Sequence, residues 1–86
     1  MANVTIRYWA AAKDAAGTGE EPTQAETLAD ALDWARIRHA GNSRFSAVLA
    51  RSSFLVDGMQ AGRNAAETVT LSDNAVIEIL PAFAGG

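Results

Sequence analysis

Cysteine is absent from these 86 residues, which excludes a disulfide framework, a thiolate metal site and a thiol nucleophile within the chain. Any sulfur chemistry would have to draw its sulfur from outside. The only histidine, His39, has no serine, cysteine or acid beside it in sequence as an obvious partner. It therefore reads as a helix C-terminal residue rather than a catalytic base, and no metal-ligand spacing can be built around it. Phosphate-binding glycine loops are missing too: Gly17 and Gly19 precede no Lys-Ser/Thr, and Gly58 and Gly62 flank a hairpin. Basic charge is in short supply, with 7 Lys and Arg against 10 Asp and Glu and a net charge of −3. That balance argues against a nucleic-acid or anionic-membrane partner. Arg36, Arg38, Arg44 and Arg51 lack interleaved aromatics and read as scattered surface charge. No apolar run approaches a membrane span, and Met1-Ala2-Asn3 leads into a strand-like segment without a basic region or signal core. The expected location is the cytoplasm. These absences argue against an independent enzyme.

What is present is the pattern of one small globular domain, 49% hydrophobic and 20% charged, able to bury about 60–65% of its unfolded surface. Val4, Ile6 and Tyr8 alternate with Thr5, Arg7 and Trp9, predicting a first strand over Asn3 to Trp9 with one face in the core. Trp9 on the outward face suggests contact with a partner or with the C-terminal tail. Ala10 to Ala16 predicts a short helix stopped by Gly17, and Glu20 to Gln24 an edge strand antiparallel to the first. The Glu20-Glu21 pair and Pro22 are the charge and proline expected at an exposed sheet edge. Thr27 with Asp30 resembles a capping box, and Leu28, Ala31, Leu32 and Ala35 recur at helical spacing as far as Gly41. A second short helix is expected over Asn42 to Ala50, with Phe45, Val48 and Leu49 as its stripe. Ser53 to Val56, the Asp57-Gly58 turn and Met59-Gln60 predict a hairpin, followed by a loop over Ala61 to Ala66 and a short extended piece over Glu67 to Leu71. Ser72-Asp73-Asn74 is turn chemistry. Ala75 to Leu80 is apolar enough to be a central strand, parallel to the first. That order describes an α+β fold of the β-grasp (ubiquitin-like) plan, a mixed four- to five-stranded sheet with one main helix across it.

After the last strand comes Pro81-Ala82-Phe83-Ala84-Gly85-Gly86. Pro81 cannot donate to a ladder, so residues 1–81 are expected to form the domain and 82–86 a projecting tail. Gly85 and Gly86 can enter a slot too narrow for any side chain, and the Gly86 carboxylate becomes reactive once another protein activates it. A frayed end is the bland alternative. Against it stands Phe83, which a solvated tail has no reason to carry.

Two segments resemble the small subunit of molybdopterin synthase, a sulfur carrier. Tyr8-Trp9-Ala10-Ala11-Ala12-Lys13-Asp14-Ala15-Ala16-Gly17 is similar to that family's aromatic-Ala-x-x-basic-acidic-x-x-Gly segment, and Leu71 to Gly86 to its final turn, strand and Gly-Gly tail. The chain departs at Ala82, where a second proline is common, and at Asn74-Ala75. The resemblance implies that Gly86 is adenylated by an E1-like adenylyltransferase using ATP and converted to a thiocarboxylate by a sulfur donor protein. It would then enter the large catalytic subunit of molybdopterin synthase to sulfurate cyclic pyranopterin monophosphate. Phe83, Ala84 and Gly85 would accompany it into that site, and Leu80, Pro81 and Trp9 would form the docking surface. The chain itself would bind no cofactor or metal. A carrier for thiamine or cysteine synthesis, a ubiquitin-like modifier and a non-catalytic interaction domain are the alternatives.

Overall fold

A computed structural model describes residues 1–61 and 66–82. Five strands form a mixed sheet in the order β2-β1-β5-β3-β4, comprising β1 (Ala2–Tyr8), β2 (Glu20–Ala25), β3 (Ser52–Val56), β4 (Met59–Ala61) and β5 (Ala75–Pro81). Helices α1 (Ala10–Ala16), α2 (Leu28–Arg38) and α3 (Ser43–Ala50) lie between β1 and β3 in sequence. β5 is central, parallel to β1 on one side and antiparallel to β3 on the other. This is the β-grasp plan, and the expected parallel pairing of the first and last strands is present.

The alternation along each strand decides which face is covered. Val4, Ile6 and Tyr8 of β1 stand beside Ala75, Ile77 and Ile79 of β5, all buried. Leu28, Ala31, Leu32 and Ala35 of α2, with Phe45 and Leu49 of α3, complete the core against that face. The opposite face carries Thr5, Arg7, Val76, Glu78 and Leu80, and among the described residues no layer covers it. Thr27 caps α2 by accepting from the Asp30 amide at 3.2 Å, and Asn42 caps α3 by accepting from the Phe45 amide at 2.9 Å. The helix ends at Arg38 with His39 as its cap, two residues before Gly41.

The β3–β4 hairpin turns on Asp57 and Gly58, whose φ values of 50° and 82° are those a two-residue type I′ turn demands. Asp57 also accepts from the Val76 amide through its side chain, pinning the turn to β5. Two expectations change. The segment Glu67 to Leu71 forms no strand, only an isolated bridge between Thr27 and Thr70. The carbonyls of Ala66 and Val69 accept instead from the first-turn amides Ala29 and Leu28, donors a helix cannot satisfy within itself. β5 also runs one residue past Leu80: Pro81 pairs with Ser52, and the Ala82 amide donates to the Arg51 carbonyl at 3.2 Å. Of the predicted loop Ala61 to Ala66, Ala61 belongs to β4 and 62–65 lie outside the described residues.

Candidate functional site

Of the tail expected over 82–86, Ala82 is described, its amide bonded to the Arg51 carbonyl, and Phe83, Ala84, Gly85 and Gly86 lie outside the described residues. What leads up to them is described in full. β5 delivers Leu80 and Pro81 at the end of the sheet, with Trp9 at the matching end of β1. The Trp9 amide donates to the Ile79 carbonyl at 3.2 Å, so the chain leaving β1 stays joined to β5 up to its last residues. Trp9 is extended, but Ala10 turns through a positive φ of 48°. α1 thereby swings across the end of the sheet and the indole remains outside, 46% exposed. Its Nε1–H donates to Glu78 Oε2 at 3.0 Å.

Glu78 alternates with the buried Ile77 and Ile79, so it and Leu80 face the uncovered side of the sheet. Trp9 and Leu80 therefore share one face, and Glu78 orients the ring. Pro81 has the opposite parity and lies on the helical side, among Ala10, Ala47 and Val48. Of the three expected docking residues, two come together and the third serves the other face.

A polar cluster that the sequence reading missed lies on that helical side. Glu21, expected as solvated edge charge, is only 8% exposed. Its Oε1 accepts from the Tyr8 hydroxyl at 2.8 Å and lies 2.6 Å from His39 Nε2, and its Oε2 accepts from Arg38 Nε at 3.2 Å. His39 thus has an acid partner, 18 residues away in sequence. Its ring stacks on Phe45 at 4.3 Å between centroids, with Tyr8 edge-on at 5.9 Å. The cause of the difference is strand parity: Glu20 faces out and pairs with Arg7 at 3.6 Å, so its neighbour must face in. Burial would push the Glu21 carboxyl up, but hydrogen bonds from His39 and Tyr8 and the nearby charges of His39 and Arg38 hold it below its ordinary value. The Tyr8 hydroxyl is pushed up, first by burial and then by the Glu21 carboxylate it donates to. The polar groups of this cluster are taken up by one another. It ties β1, β2, α2 and α3 together.

Arg36 and Arg38 are the surface charges expected, paired with Asp33 and Glu21. Arg44 and Arg51 differ, for α3 brings both to one groove. Among the described residues no group of three His, Cys, Asp or Glu side chains converges as a metal site, and no helix is long and apolar enough to cross a membrane.

The ThiS family model matches residues 6–86, from the second core position of β1 through the final glycine. The chain belongs to the ThiS family. No curated protein sequence matches it. Solved structures share the fold across their whole length. Small archaeal modifier protein 1 from Methanosarcina acetivorans is 24% identical at a TM-score of 0.77, covering 100% of this chain and 98% of that one. A putative molybdopterin converting factor subunit 1 from Pyrococcus furiosus is 19% identical at 0.76, covering 96% and 100%. In a protein–protein complex of subunits 1 and 2 of the molybdopterin-converting factor from Helicobacter pylori, the matching chain is 18% identical at 0.69, covering 98% and 99%. This ThiS-family chain thus has the β-grasp fold found in proteins named both as modifiers and as subunits of a converting factor.

Proposed function

We propose that the chain is the sulfur-carrier small subunit of a molybdopterin synthase. The observation that carries this reading is the ThiS-family match running through Gly86, in a fold whose central strand leads straight into the two-glycine end. The Gly86 carboxylate attacks the α-phosphate of ATP on an activating enzyme, forming an acyl-adenylate and releasing pyrophosphate. Sulfide-level sulfur supplied by a donor protein then attacks the acyl carbon, and as the C–S bond forms the C–O bond to AMP breaks, leaving a thiocarboxylate. The carrier body contributes position rather than catalytic groups. Trp9 and Leu80 offer an apolar contact beside the strand end, and the glycines pass a constriction that a Cβ would block. The client is cyclic pyranopterin monophosphate, sulfurated on a large catalytic subunit. That choice of client rests on the likeness of Tyr8 to Gly17 and Leu71 to Gly86 to the small subunit of molybdopterin synthase.

The intact mass of the chain after incubation with ATP, a sulfur source and the activating enzyme tests this. A gain equal to exchange of one oxygen for sulfur is expected, lost when Gly86 is deleted. An unchanged mass, with the activator active on another carrier, overturns the proposal. A second reading, a protein modifier joined through Gly86 to lysines, is favoured by the likeness to small archaeal modifier protein 1. It predicts covalent conjugates of higher mass that persist under reduction.

A further inference from the structure

α1 and α3 pack against each other at the end of β5 and leave between them an open groove of about 420 Å³. Its floor is apolar, built by Ala10, Ala47, Val48 and Pro81, and two cations line it, Arg44 and Arg51. Three other arginines of the described chain are neutralised: Arg7 by Glu20, Arg36 by Asp33 and Arg38 by Glu21. Arg44 and Arg51 are exposed and have no carboxylate partner among the described residues. On a chain whose net charge is −3, two cations with no carboxylate partner among the described residues, set around an apolar floor, form a local surface of opposite sign. Its complement is a carboxylate-bearing segment with an apolar side chain between the charges.

The groove's position says which partner meets it. Pro81 lines it and so does Ala82, the last of the described residues, itself held by the Arg51 carbonyl. A protein that takes up Gly86 must come against this end of the molecule. Under the carrier reading, on which this inference rests, the activating enzyme meets the chain before any chemistry has marked it. Two glycines and a carboxylate do not distinguish one protein end from another, so selection has to read the folded body. The proteins that act later can read the thiocarboxylate itself.

We propose that the groove between α1 and α3 is a recognition site for the activating enzyme, which places an acidic segment against Arg44 and Arg51 and an apolar side chain on Ala47 and Val48. This contact lies on the opposite side of the sheet from Trp9 and Leu80, so the two surfaces grip the strand end from both faces.

The test measures pyrophosphate release by the activating enzyme against the concentration of full-length chain. The double variant Arg44→Glu/Arg51→Glu is expected to raise KM about 10-fold or more while kcat stays within about twofold, the signature of lost docking rather than lost chemistry. Arg44→Lys/Arg51→Lys is expected to stay within about threefold, since the charge is kept, and added salt to narrow the gap. Ala47→Glu, on the exposed floor, gives an independent readout with the same sign should the double variant fail to fold. An unchanged KM in folded charge-reversed chain overturns the inference and leaves the carrier reading standing. Absence of pyrophosphate release with the unaltered chain overturns both.

Discussion

Three donors converge on the Glu21 carboxylate from three directions, and this is where one side chain carries most structural consequence. Removing its charge leaves His39, whose ring packs on Phe45 and Tyr8, without its acidic partner, while the exposed Arg38 turns to solvent. Glu21→Gln is expected to cost about 2–4 kcal/mol, read as a lower urea midpoint with an unchanged slope. The folded-state pKa of Glu21 lies below its ordinary value of 4.5. Its contribution is therefore fully present above that value and lost as pH falls through the folded pKa. The gap between parent and variant is accordingly expected to hold at neutral pH and to close in acid, as urea titrations at successive pH values would show. A gap that widens in acid would overturn the assignment. No sequence rule exposes this pairing. Glu20 and Glu21 look alike in a row of residues, and only strand parity together with the end of a helix 18 residues away separates them. Trp9 was legible as an outward aromatic because the β1 alternation places it, whereas its bond to Glu78 depends on a register invisible before the sheet is built.

Among elements, α2 and β5 were the plainest in the sequence, each for a reason of its own. The Thr27 cap and the stripe Leu28, Ala31, Leu32 and Ala35 repeat at helical spacing, and the structure buries all four. Thr27→Ala is expected to lower stability by about 1 kcal/mol through loss of the bond from the Asp30 amide, measured by thermal or urea unfolding. β5 reads as a core strand because Ala75, Ile77 and Ile79 point beneath the helices and are buried, while Val76 and Leu80 add apolar residues on the half-exposed face. Ile77 is fully buried at its centre, and Ile77→Ala is expected to cost about 2–5 kcal/mol. A loss below 1 kcal/mol would mean that the core collapses around the gap. The stretch from Glu67 to Leu71, expected as a short extended piece, turns at 67–68 and makes only the isolated bridge at Thr70. The Val69 carbonyl is taken by the Leu28 amide in the first turn of α2, a demand written in a different part of the chain.

Across the whole molecule, the core lies between the sheet and the helices, while Gly86, the residue proposed to carry the chemistry, follows β5 in sequence. Deleting Gly86 is therefore expected to leave the melting temperature within about 1 °C, because no core residue is touched, while abolishing the mass gain with ATP and sulfur. A fall of several degrees would place the final residue in the fold rather than beyond it. The fold class was legible because strand and helix periodicities agree in order and length with one topology. The groove was not, since Arg44 and Arg51 are separated in sequence and meet only through the turn of α3.

The sheet order has a consequence for synthesis. β5 is the last of the five strands to leave the ribosome, yet it stands between β1 and β3. Until it arrives, a nascent chain holds two hairpins with open edges and no shared centre. A product that stops short of Ala75 lacks the strand both halves need and is exposed to proteolysis. The seven residues that close the sheet are the same ones that lead into the tail. Translation thus presents a finished tail only on a molecule able to complete its fold, and quality control of the chain is built into the order in which its strands are made.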